Sequence, residues 1–313
     1  DIKEADVKDG GSGAFYIYLK KKIIIYLNMI LWLASYPKSG NTMLRSLLSA
    51  YFFTKDGNFN FEVLKKINQF PDITIFEKLK INTDTEKEIV QNYIKAQEEI
   101  NKKDKKSLRF LKTHSTMHNI AGYKFTDLRN SLGVIYIVRD PRNIVKSYAN
   151  HNQFTIEESV KALTSFRMLG GIKNAENSAD RTVTHVGTWS SHFNTWKEFD
   201  KVNKYLLIKY EDLVSDTEKI FIKILEFIHK LTRSKFVLDE LKLKNVIKTT
   251  SFENLKQLEK DNNFHEAKKD SNNQPVTFFK YGFNKNSKID LPDNFKKQIE
   301  DFYKKEMLEL GYL

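Results

Sequence analysis

Three groups of residues in this chain have the types and spacing of working chemistry. The first is the polar turn Lys38-Ser39-Gly40-Asn41-Thr42, which follows Tyr36-Pro37. A turn of this composition aims backbone N–H groups and the positive end of a helix at one point, which suits a phosphate. Lys38 adds a full charge, and Ser39 and Thr42 add hydroxyl donors. The second group is Lys112 and His114, two residues apart near the end of the apolar run 107–115. On a strand such a pair projects from one face, so a cation and a titratable imidazole lie side by side. The third is Arg139 with Ser147, where a guanidinium can fork onto a phosphate and a hydroxyl can join it. Each group has a plainer reading. The turn could be an ordinary strand-to-helix connection with a solvated lysine, and Arg139 could pair with Asp140 or another carboxylate. A lone histidine is more often structural, and His118 and His151 are read that way.

The elements that must hold these residues follow from the apolar pattern. Residues 31–34 are a short apolar run, and beyond the turn Met43, Leu44, Leu47, Leu48, Tyr51 and Phe52 recur at three- and four-residue steps. That reads as buried strand, tight loop and amphipathic helix. Residues 107–112 form a second strand. Residues 133–138 form a third, β-branched and aromatic enough for burial on both faces. Asp140 and Pro141 then supply an N-cap and a first helical residue, with Ser147 nearly two turns further on. A fourth strand falls at residues 205–209. Strands alternating with helices predict a single α/β domain, a parallel β-sheet flanked by helices with a P-loop-like loop after its first strand. Lys112, His114 and Arg139 then stand at strand C-terminal ends, where open α/β sheets keep their chemistry. Residues 51–106 read as mostly helical and polar. Phe52, Phe53, Phe59, Phe61, Phe70 and Phe76 are either core or the lining of a pocket, with core the default.

Composition narrows the classes. Lys and Arg number 52 against 40 Asp and Glu, a formal charge of +12 over 313 residues. Such a surplus favours anionic ligands, with nucleic acid the generic suspect. However, the lysines are spread along the chain, often beside acids, and only residues 102–106 form a tight basic run, which reads as a solvated loop. No nucleic-acid partner is expected. The absence of cysteine excludes disulfides, thiolate metal sites and a cysteine nucleophile. The first 28 residues begin polar and pass through GGSG, a linker-like composition. Lys20-Lys21-Lys22 and the apolar stretch behind them imitate a signal peptide. Cleavage there would remove the strand that feeds the loop, and the run falls short of the roughly 20 apolar residues of a membrane span. The expectation is a cytoplasmic protein without a membrane span, with residues 1–28 a non-native or disordered extension and residues 29–313 the domain. Its oligomeric state is not legible.

The wording of the loop separates it from a nucleoside-triphosphatase P-loop, which carries its lysine after the last glycine and then Ser or Thr on magnesium. Here Lys38 precedes Gly40. YPKSGNT resembles instead the 5′-phosphosulfate loop of sulfotransferases that use 3′-phosphoadenosine 5′-phosphosulfate (PAPS). KTHS at 112–115 and VRDPRNIVKSY at 138–148 look like further landmarks of that family, in its order. GTWSSHFNTW at 187–196, ahead of the strand YLLIKYEDL at 205–213, and TTSFENL at 249–255 are similar to its later segments. The resemblance spans nearly the whole domain.

It implies transfer of a sulfonate from PAPS to a hydroxyl or amine of a small-molecule or glycan acceptor, without a metal. By resemblance, His114 is the general base, Lys38 contacts the bridging oxygen of the donor and Lys112 steadies the transferring sulfonate. Ser39, Gly40, Asn41 and Thr42 complete the phosphosulfate loop. Arg139 and Ser147 match the 3′-phosphate contacts, and Tyr210, Thr250, Ser251 and Phe252 the adenine side. Two positions depart from the pattern. Met43 stands where the family commonly stacks a tryptophan on adenine, and the Arg-Lys-Gly phosphate clamp becomes Lys280-Tyr281-Gly282. The acceptor pocket is expected from residues 52–106 and the segment after Ala149. A nucleotide kinase and a non-catalytic polyanion binder on the same scaffold are the competing classes.

Overall fold

Five strands carry the fold, and the two central ones are cut from apolar stretches whose side chains are buried on both faces. The five are β1 (Ile30–Ala34), β2 (Asn68–Gln69), β3 (Arg109–Thr113), β4 (Ser131–Val138) and β5 (Tyr205–Lys209). A computed structural model describes residues 2–4, 15–17, 30–102, 108–262, 264–267, 274–280 and 291–313. The sheet order is β2-β3-β1-β4-β5, and every pairing is parallel. All five residues of β1 and all eight of β4 are buried, as the central strands of a doubly covered parallel sheet must be.

Alternation along the strands divides the interior in two. Ile30, Trp32 and Ala34 share one core with Val134, Tyr136 and Val138. Leu31 and Leu33 share the other with Ile135 and Ile137. The first core is closed by α2 (Pro141–Asn152), α3 (Trp189–Trp196) and α7 (Asp293–Phe302), through Ile144, Val145, Trp189, Phe193, Trp196 and Ile299. The second is closed by α1 (Asn41–Phe53), α4 (Thr217–Thr232) and α5 (Glu240–Thr249), through Leu44, Leu47, Phe221, Ile224, Leu225 and Val246. A further helix, α6 (Phe252–Asn262), follows α5 directly.

The strands expected at 107–112 and 133–138 form at Arg109–Thr113 and Ser131–Val138. The edge strand β2 carries no apolar signal, because its two residues are Asn and Gln and it exists only by pairing with β3. Asp140 caps α2 as expected: its Oδ1 accepts from the Arg142 amide at 2.9 Å, with Pro141 in the first turn. Arg142 then forks back onto Asp140, reaches Glu300 at 2.5 Å and bonds the Tyr312 carbonyl at 2.8 Å. This ties the C-terminal segment to the end of β4. Phe59, Phe61, Phe70 and Phe76 are core, whereas Phe53 is 38% exposed. No helix among the described residues is long and apolar enough to cross a membrane. In the N-terminal extension Ile2–Glu4 pairs antiparallel with Phe15–Ile17. The boundary at Met29 and most of the basic run at 102–106 lie outside the described residues.

Candidate active site

The loop after β1 is shaped by two residues with positive φ, Lys38 at 67° and Gly40 at 99°. Gly40 is required twice over: its φ suits glycine, and a Cβ there would lie 2.3 Å from the Tyr210 ring. Asn41 opens α1 with no side-chain cap behind it and no acid in the first turn, so the helix start remains available to an anion. The Asn41 side chain braces the loop. Its Nδ2 donates to the Leu33 carbonyl at 3.0 Å and to Ser35 Oγ at 3.2 Å, while its Oδ1 accepts from Arg45 at 3.0 Å.

A cavity of about 1340 Å³ runs along the C-terminal ends of the strands. At one end stand Gln69, Lys112 and His114, at the ends of β2 and β3. Lys38, Gly40, Asn41, Thr42 and Met43 form its middle. Arg139 and Tyr210, after β4 and β5, form the far side with Ser147, Thr250, Ser251 and Phe252. The structure therefore gathers most of the residues singled out from sequence onto one wall. Ser39 is the exception within the loop, since it is fully buried and does not line the cavity. Lys280 also stands off, with its Nζ 3.1 Å from Asn150 Oδ1 beside a separate surface hollow. Gly282 lies outside the described residues.

His114 Nδ1 is 2.7 Å from the Ser35 carbonyl. A carbonyl only accepts, so Nδ1 carries the hydrogen and donates, which leaves the Nε2 lone pair free to take a proton. Burial, and then the neighbouring Lys112 charge, hold its pKa well below the ordinary histidine value, so the ring is neutral. Behind it, the fully buried His192 donates from Nε2 to the His114 carbonyl at 3.2 Å and accepts from the Tyr136 hydroxyl at 2.8 Å. Burial lowers His192 to about 3, consistent with a neutral ring that fixes the His114 backbone.

Lys112 Nζ lies 3.6 Å from Glu266 Oε1, and Glu266 Oε2 accepts from Arg45 at 2.7 Å. Burial lowers Lys112 to about 8 against the opposing pull of Glu266. Burial alone would raise Glu266, but Arg45 and Lys112 together hold it well below the usual carboxylate range. Lys38 Nζ sits 3.7 Å from the centre of the Phe278 ring. The Arg139 guanidinium stacks 4.5 Å from the Tyr210 ring centre and donates to the Lys38 carbonyl at 3.3 Å. Its Nε is buried without a protein partner. A donor without an acceptor near an uncapped helix start fits a phosphate-bearing ligand.

Sequence reading missed part of this wall. Glu266 and Arg45 carried no motif, and Phe278 and Phe279 stand just ahead of the expected clamp. His151, read as structural, lines the cavity. Of the described residues between 52 and 102 only Gln69 reaches it, and none of the six phenylalanines does. The wall beside Lys112 comes instead from residues between Leu169 and Thr184, within the segment after Ala149.

The family model described as "Sulfotransferase domain" matches residues 30–311. The chain belongs to the sulfotransferase family. It is 23% identical to mouse Sulfotransferase 1E1 over 88% of this chain and 82% of that protein. With luciferin sulfotransferase of Photinus pyralis it shares 25% identity over 71% of this chain, but spans only 55% of that protein. Its fold matches mouse sulfotransferase SULT7A1 complexed with PAP, at a TM-score of 0.52 and 16% identity over 98% of this chain and 95% of that one. It also matches retinol dehydratase in complex with androsterone and inactive cofactor PAP, at a TM-score of 0.54 and 16% identity over 92% and 84% of the two chains.

Proposed function

We propose that this chain moves a sulfonate group from PAPS to a hydroxyl or amine of a small-molecule acceptor, with His114 as general base. The observation that carries the reading is the His114 ring, its tautomer set by the Ser35 carbonyl, beside Lys112 on the wall that also holds the uncapped start of α1. The cavity exceeds the roughly 300–1,000 Å³ of a common single-ligand pocket, which leaves room for a donor and an acceptor together. The relative named luciferin sulfotransferase favours a small organic acceptor over a glycan.

PAPS supplies the activated sulfonate, and the rest is done by the chain. The α1 start and Lys38 receive the 5′ end, while Arg139 and Ser147 receive the 3′-phosphate. Tyr210, Thr250, Ser251, Phe252 and Met43 enclose the base. Lys112 faces the transferring group, and His114 Nε2 takes the acceptor proton.

Titration with 3′-phosphoadenosine 5′-phosphate (PAP) and with adenosine 5′-phosphate tests the donor side. PAP should bind roughly 10- to 150-fold more tightly, the equivalent of one charge-assisted contact of about 1.5–3 kcal/mol. Labelled PAPS should then pass its sulfonate to members of an acceptor panel. PAP binding without transfer to any acceptor would leave a non-catalytic binder, and no preference for PAP would remove the reading.

A further inference from the structure

Glu266 is out of place by charge. It lines the cavity together with Lys38, Lys112 and Arg139, where an anionic donor belongs, yet it is a carboxylate. Its two oxygens are divided between Arg45 at 2.7 Å and Lys112 at 3.6 Å. Arg45 is 2% exposed and is held by Asn41 Oδ1 and Thr42 Oγ1. One line of polar contacts therefore runs from the start of α1, through Arg45 and Glu266, to the lysine at the end of β3. The same stretch of chain supplies Phe278 over Lys38. Both lysines at the transfer point are met by side chains from residues 264–280.

To an ammonium group, a carboxylate and a sulfonate are the same kind of partner, an oxyanion with several acceptor lone pairs. We propose that Glu266 holds the place beside Lys112 that the donor's sulfonate takes, so donor binding exchanges one oxyanion for another on a single ammonium. The proposal rests on the sulfonate-transfer reading above. Glu266 is then a positioning residue that acts through Lys112. Before the donor arrives, it keeps the buried ammonium charged and aimed. A nucleotide that brings no sulfonate does not displace Glu266, which returns to Lys112 once the sulfonate has left. Its cost is donor affinity, because the Glu266–Lys112 contact must be given up.

The charged and titratable groups around Lys112 are Arg45 from α1, Glu266 and His265, Asp180 from the 169–184 wall beside it, and His114. Of these, Glu266 is the largest influence raising Lys112 against its burial. Without it, the lysine would lose its proton below about 8. The ammonium is then complete only at lower pH and is lost as pH rises.

The test uses the full chain and two probes, PAPS and PAP, titrated from about pH 6 to about pH 9. For Glu266→Gln, the preference for PAPS over PAP should rise at least about tenfold near pH 6, the effect of one pKa-unit of charge interaction. The gain should fade towards pH ~8 as Lys112 deprotonates. In a Lys112→Met background, Glu266→Gln should leave the preference unchanged. Glu266→Asp keeps the charge for Arg45 but withdraws it from Lys112, and should move the preference the same way by less. It also serves if the glutamine variant does not fold. A PAPS-to-PAP preference that is unchanged or reduced in both variants, or a gain indifferent to pH, overturns the proposal while the sulfotransferase reading stands. Failure of the wild-type chain to bind PAP removes both.

Discussion

At the scale of single residues, the proposed chemistry depends on which nitrogen of His114 holds the hydrogen. The Ser35 carbonyl leaves one answer, and burial, with the Lys112 charge alongside, keeps the ring neutral. Because the folded pKa is depressed, the ring remains a proton acceptor below the ordinary histidine value. The acid limb of kcat/KM should therefore fall below pH ~6.5, where an unperturbed imidazole titrates. His114→Asn can still bond Ser35 through its amide but cannot take a proton. Its kcat should drop by the ~10²–10⁴ of a positioned acid–base group, with PAP affinity within a few-fold of wild type. Phenols of low pKa should recover part of the loss, since they ionise unaided. A variant that loses PAP binding instead, or keeps its turnover, would show that the imidazole is structural.

At the scale of elements, the strand–loop–helix unit of β1 and α1 does most of the positioning, and Gly40 is where it is most constrained. Gly40→Ala places a methyl group in the Tyr210 ring at a φ that L-residues avoid. It should cost about 1–3 kcal/mol of stability, read as a lower denaturant midpoint, and weaken PAP binding because the loop must shift. Unchanged affinity would mean that the loop does not contact the nucleotide. This unit was legible in the sequence because a change of apolar period brackets a polar turn. Lys112, His114 and Arg139 were legible because buried runs end there. The rest lacked local grammar. Glu266 gains its meaning from Arg45, 221 residues away in sequence, and no periodicity joins them. Residues 169–184 are a wall made of turns and a two-residue strand pairing, Met168–Leu169 with Thr184–His185, without an apolar pattern to betray it. His151 faces the cavity from a helix that packs against the first core through Ile144, Val145 and Tyr148, and spacing alone did not show that its ring turns to the cavity.

At the scale of the molecule, every described residue of the sheet and of both cores lies at Ile30 or beyond, and the family model begins at the same residue. A chain starting at Met29 should therefore match the full chain in thermal midpoint and in PAP affinity. Loss of soluble protein on that truncation would show that residues 1–28 contribute to the fold. The parallel order β2-β3-β1-β4-β5 has a further consequence, one of timing. Every strand end contributes to the cavity, and roughly 240 residues separate Lys38 from Phe279. At ~5–20 residues per second, a ribosome needs roughly 10–50 s to pass from one to the other. During that interval the nascent chain carries the cationic loop without the walls that complete the cavity. On the proposed reading, nucleotide cannot assist folding until synthesis of the domain is nearly finished.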